Sequence, residues 1–130
     1  MKKYKIVGLI VIAVVFIAAC RSAPKVSSVE GVYSATLPAA SSPGRKVTLT
    51  LNKDQTAKME SDYMNGKPII VEAGSWEFAP DKSIIVNLMM QYEGTIREVI
   101  VFVKNGDMLN STQHDQNLYG TEGLKLNKIK

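Results

Sequence analysis

The chain is predicted to be all-β, a small antiparallel meander of about six to eight strands closing into a barrel. Three observations carry that prediction. Short alternating apolar and polar runs recur from Gly31 onward, separated by turn residues. Two Asn-Gly pairs, Asn65-Gly66 and Asn105-Gly106, mark hairpins, because both central positions of a type I′ turn need positive φ. After Cys20 no run places apolar residues at three-and-four spacing, so no helix is available to cover the sheet. A sheet without helices must close on itself or fold into two layers. Closure also removes exposed edges.

The chain begins with a different kind of segment. Lys2, Lys3 and Lys5 form a basic leader, and Ile6 to Ala19 is an apolar run ending in small residues. As a helix that run would span roughly 21 Å, short of the ~30 Å hydrocarbon core of a bilayer. It closes on Ile17-Ala18-Ala19-Cys20, which resembles the lipobox of bacterial lipoproteins. On this reading residues 1–19 are a signal peptide and Cys20 is the first mature residue, carrying the acyl chains. One acyl chain holds a protein only marginally, whereas two or more anchor it stably. Ser22 at the second mature position, rather than Asp, favours the outer membrane over the inner under enteric-type sorting.

Residues 20–30 then read as the lipidated cysteine and a polar, Ser-rich tether. Residues 31–130 are one domain. Within it Gly31 to Leu37 is a weak strand and Lys46 to Asn52 a clean one, with Val47, Leu49 and Leu51 on one face. Asn52 to Gln55 is a turn, and Ala57, Met59, Ser61 and Tyr63 alternate with charged residues. After Asn65-Gly66, Pro68 lacks a donor, so pairing resumes just beyond it in a strand from Ile69 to Phe78. Gly74, Trp76 and Phe78 share one face. Ala79-Pro80-Asp81-Lys82 is a type I turn. The runs Ser83 to Gln91 and Ile96 to Lys104, joined by a turn at Glu93-Gly94, are apolar on both faces, as in strands covered on both sides. Met108 to Thr112 is a short strand, Gln113 to Gly120 a polar loop, and Gly123 to Ile129 the closing strand.

Composition excludes several functions. Without the leader, thirteen basic face twelve acidic side chains, so the basic excess of the full chain belongs to the signal. No basic stripe interleaved with stacking aromatics remains, so no nucleic-acid partner is expected. Cys20 is the single cysteine, and the domain therefore has no disulfide. No serine sits in a G-x-S-x-G elbow, and the lone His114, beside Asp115, lacks convergent partners, so no catalytic residue, metal or cofactor is assigned. Met59, Met89, Met90 and Met108 fall on strands as gap-filling side chains.

The segment from Gly31 to Gly44, followed by Val47-Thr-Leu-Thr-Leu-Asn-Lys-Asp54 and Gly74-Ser75-Trp76, resembles the N-terminal domain of NlpE-like lipoproteins. Gly31, Tyr33, Leu37, Pro38, Ala40 and Gly44 match that family's motif. The resemblance implies a lipocalin-like barrel and a role in copper resistance, envelope-stress signalling or surface sensing. Where the family has two cysteines, this chain has Ala39 and Ser42, with Ser41 for the intervening Asp. Alanine offers no donor and serine is a poor ligand for soft Cu(I), so the metal chemistry does not carry over. The loop Pro38, Ala39, Ala40, Ser41, Ser42, Pro43 remains as a candidate interaction surface.

The expected function is a non-enzymatic envelope protein, lipid-anchored and facing the periplasm or cell surface, that binds an envelope protein or takes part in stress sensing. Two alternatives belong to other classes. One is a carrier of a small apolar ligand in an interior lined by Met59, Trp76, Leu88 and Met90. The other is an inhibitor of an envelope-active hydrolase.

Overall fold

The computed structural model describes residues 25–38, 43–90 and 96–130. Eight strands follow in chain order: β1 (Gly31–Leu37), β2 (Arg45–Leu51), β3 (Thr56–Asp62), β4 (Ile70–Phe78), β5 (Ile84–Met90), β6 (Ile96–Asn105), β7 (Met108–Gln113) and β8 (Lys125–Lys128). Each pairs antiparallel with the next, and β8 returns to β1 at Tyr33↔Lys128, closing the barrel. The alternation that predicted the strands also sets what they bury. Val47, Leu49 and Leu51 of β2 and Ala57, Met59 and Ser61 of β3 point inward and are buried, while Thr48, Thr50, Lys58 and Glu60 face outward.

The two ends of the barrel differ. At one end Trp76 is 1 % exposed and meets Phe78 edge to face at 5.4 Å, and its indole Nε1 donates to the Asn52 carbonyl at 2.9 Å. The β2–β3 turn is strapped on from outside, because the Trp76 amide donates to the Gln55 carbonyl. A 3-10 turn, Val26–Ser28, covers the start of β1 at the same end, with Val29 buried and accepting a 2.7 Å hydrogen bond from the Tyr33 hydroxyl. The segment expected to be tether up to Glu30 is thus part of the fold from Val26. Its apolar Val26 and Val29 find a surface that the sequence alone does not display.

Other details depart from expectation. Asn65-Gly66 lies in a seven-residue connection, Tyr63 to Ile69, and not in a two-residue turn. Asp62 accepts from the Met64 amide and Asn65 from the Lys67 amide, so successive side-chain turns replace the tight hairpin, and Pro68 has no proton with which to extend the ladder. At Asn105-Gly106 the turn is shifted by one residue: Asn105 pairs with Met108, and positive φ falls on Gly106 alone of the two turn residues. The polar loop after β7 contains a single helical turn, α1 (Gln116–Tyr119), capped by Asp115. Finally, β5 and β6 are apolar outside as well as inside, yet their outer face is open, with Val99 51 % and Met89 44 % exposed. The Glu93-Gly94 turn lies outside the described residues, and among those described no helix is long and apolar enough to cross a membrane.

Candidate functional site

The end opposite Trp76 is built from charge. Arg45 opens β2 with its side chain turned inward, and it is 7 % exposed. Its Nη1 donates to the Leu118 carbonyl at 2.9 Å and its Nη2 to Ser61 Oγ at 3.0 Å. The guanidinium carbon lies 5.4 Å from the Tyr63 ring centroid and 5.0 Å from that of Tyr119, within cation–π range of both. Tyr119 comes from α1, which lies over this end and buries the ring; the hydroxyl reaches Met59 Sδ at 3.5 Å.

Two inward carboxyls face this arrangement. Glu72 sits on the same side of β4 as Gly74 and Trp76 and is 5 % exposed. Glu98 lies on the side of β6 that carries Ile100 and Phe102 inward, and it pairs across with Leu88. Burial, reinforced by contact with Glu98, pushes the Glu72 carboxyl up to about 8 despite the opposing pull of Arg45. At pH 7 Glu72 is therefore mostly protonated and able to donate to Glu98. Burial, and after it the same carboxyls, holds the Tyr119 hydroxyl well above its ordinary range. Among the described residues neither glutamate forms an ion pair, and Arg45 Nε and Glu98 Oε1 are buried without a hydrogen-bond partner. A cavity of about 200 Å³ opens here, bordered by Arg45, Glu72 and Glu98 and walled by Ile70, Met90 and Leu118.

The residues singled out from sequence are distributed around this end unevenly. Met59, Trp76 and Leu88 face the interior but are at most 1 % exposed and belong to the packed core, which leaves no room for an apolar ligand among them. Met90 alone of the four borders the cavity. Pro38 and Pro43 flank the β1–β2 connection at the charged end, while Ala39, Ala40, Ser41 and Ser42 lie outside the described residues, as does Cys20. His114 and Asp115 make no catalytic pair. His114 Nε2 bonds the Gly120 carbonyl at 3.0 Å and Nδ1 meets Ser111 Oγ at 3.1 Å, while Asp115 accepts the Asn117 amide at 2.8 Å to cap α1.

Arg45, Glu72, Glu98 and Tyr119 were not singled out from the sequence. The available signal was parity: Glu72 and Glu98 occupy inward positions of strands whose other inward residues are apolar or glycine.

The model of the NlpE N-terminal domain family matches residues 33–121. The chain belongs to the NlpE N-terminal domain family. The match runs from Tyr33 on β1 past α1, so the charged end of the barrel falls within the NlpE domain. A crystal structure of a candidate lipoprotein from Shewanella oneidensis is similar with a TM-score of 0.49 and 21% sequence identity, over 77% of this chain and 88% of that one. No curated protein matches the chain.

Proposed function

We propose that this NlpE-domain protein is a lipid-anchored, non-enzymatic envelope protein that acts by binding, in stress sensing or in engagement of an envelope partner, without the family's cysteine metal site. The observation that carries this reading is the polarity of the barrel. The chain enters at the plugged end, through Val26–Glu30, while the cavity, α1 and the ends of the 38–43 loop lie at the other. A lipid on Cys20 would thus tether the plugged end and present the charged end away from the membrane. The packed core beneath the cavity favours recognition at that end over carriage of an apolar ligand through the interior.

Two measurements test it. Cys20→Ser should move the protein out of the membrane fraction, and the wild-type intact mass should fit an acylated chain beginning at Cys20; a mature mass that includes residues 1–19 would contradict the anchor. Photo-crosslinkers placed in cells at Leu118, on the charged end, and at Lys53, on the plugged end, should yield partner adducts from Leu118 only. Adducts only from Lys53 would reverse the assignment of the binding end.

A further inference from the structure

Around the cavity most of the guanidinium is engaged, whereas neither carboxyl has a cationic partner among the described residues. Arg45 donates to Leu118 and Ser61 and lies within cation–π range of two tyrosine rings. Its remaining Nε is buried without a partner, a single donor and not the two-pronged fork that a carboxylate or phosphate takes. Glu72, by contrast, is 5 % exposed, borders the cavity and has no cationic partner among the described residues, and Glu98 Oε1 is buried without one. Two inward carboxyls thus stand against one inward guanidinium, and in the free protein a proton on Glu72 makes up the difference. Beside these charged groups, Ile70, Met90 and Leu118 supply apolar wall. At about 200 Å³ the space is smaller than the ~300 Å³ at which drug-sized pockets begin.

We infer that the charged end of the barrel binds a small primary amine, its ammonium group between Glu72 and Glu98 and its short alkyl body against Ile70, Met90 and Leu118. This rests on the reading of that end as a binding surface and names the ligand class it takes. The groups facing Glu72 are Glu98 from β6, Arg45 from β2 and Tyr119 from α1, with Asp115 and Arg97 at the same cavity. The ammonium takes over the charge of the Glu72 proton, so Glu72 gives up that proton as the amine binds, and the proton goes to buffer. Because Glu72 titrates near 8 in the free protein, affinity rises with pH below that value, by up to about tenfold per unit, and levels above it.

The test is calorimetry on the full chain in nonionic detergent, with butylammonium, butyrate and Ca²⁺ as separate probes, at pH 7 in two buffers of different ionisation enthalpy. Butylammonium should bind saturably and release close to one proton. Glu72→Gln should weaken it at least tenfold and abolish the proton release, and Glu98→Gln, which leaves Glu72 in place should the first variant fail to fold, should also weaken it. Saturable binding of butyrate or Ca²⁺ in place of butylammonium, butylammonium binding indifferent to both substitutions, or no saturation by any probe would overturn the inference. Crosslinks from Leu118 in cells, persisting beside a calorimetric failure, would leave the binding end standing and remove only the amine.

Discussion

Gly74 and Trp76 lie two residues apart on the inward side of β4, where one supplies bulk and the other makes room for backbone. A Cβ at Gly74 would overlap the Asn87 carbonyl of β5, so Gly74→Ala forces the strands apart and should cost at least about 2 kcal/mol. Trp76→Ala leaves a cavity and removes one of the two hydrogen bonds to the Asn52 carbonyl, for a loss of about 3–5 kcal/mol. Denaturant melts of both variants check these values; a loss well under ~1 kcal/mol at Trp76 would place its ring at the surface. Glu72 behaves in the opposite sense to an ordinary salt-bridged carboxylate. Its folded pKa, near 8, lies above the unfolded value, so the native state holds a proton that the unfolded chain has released. Stability should therefore be fully present below about pH 4.5, decline as pH rises toward 8, and level beyond it, with a slope no steeper than about 1.4 kcal/mol per pH unit from this group. Glu72→Gln should flatten that decline and be more stable than the wild type at pH 8, as denaturant midpoints from pH 5 to 9 would show.

Two of the three hairpin turns at the plugged end are built alike. Asn52-Lys-Asp-Gln55 and Ala79-Pro-Asp-Lys82 each close an i to i+3 hydrogen bond, each ends in a residue of positive φ, and each uses its Asp to accept from the residue just after the turn, Thr56 or Ser83. Those hydrogen bonds hold both Asp54 and Asp81 below the usual carboxylate range. Gln55 and Lys82 adopt the left-handed conformation without being glycine, at φ 66° and 70°. Such a residue is strained by ~1–2 kcal/mol, part of which glycine returns as chain entropy in the unfolded state. Lys82→Gly should thus gain up to about 1 kcal/mol, visible as a raised melting temperature; a lowered one would mean that the lysine side chain contributes contacts of its own. The left-handed residue could not be read from the sequence, because Asp-Lys carries none of the signal of Asp-Gly.

For the molecule as a whole, strand number, order and closure followed from period-two alternation together with the lack of a helical pattern, and all three are found. The family resemblance on Gly31, Tyr33 and Pro38 leads to the domain whose model matches residues 33–121. The charged end was less legible. Alternation reports which side a residue faces, but not that Glu72 from β4, Glu98 from β6, Arg45 from β2 and Tyr119 from α1 meet, since barrel closure and the folding of α1 over the opening bring them together. Nor does apolarity on both faces of β5 and β6 reveal that their outer side is left open. The reading of one end as the binding surface rests on the contrast between a plugged, apolar end and an opposite end organised around a protonated carboxyl. Its most direct test is a pH titration of the Glu72 side-chain carboxyl by carbon-detected NMR on the full chain. The carboxyl should remain protonated at pH 7 and titrate near 8. A Glu72 carboxyl already ionised at pH 7, titrating near its ordinary value of 4.5, would mean that this end of the barrel is open to water and that no such site exists.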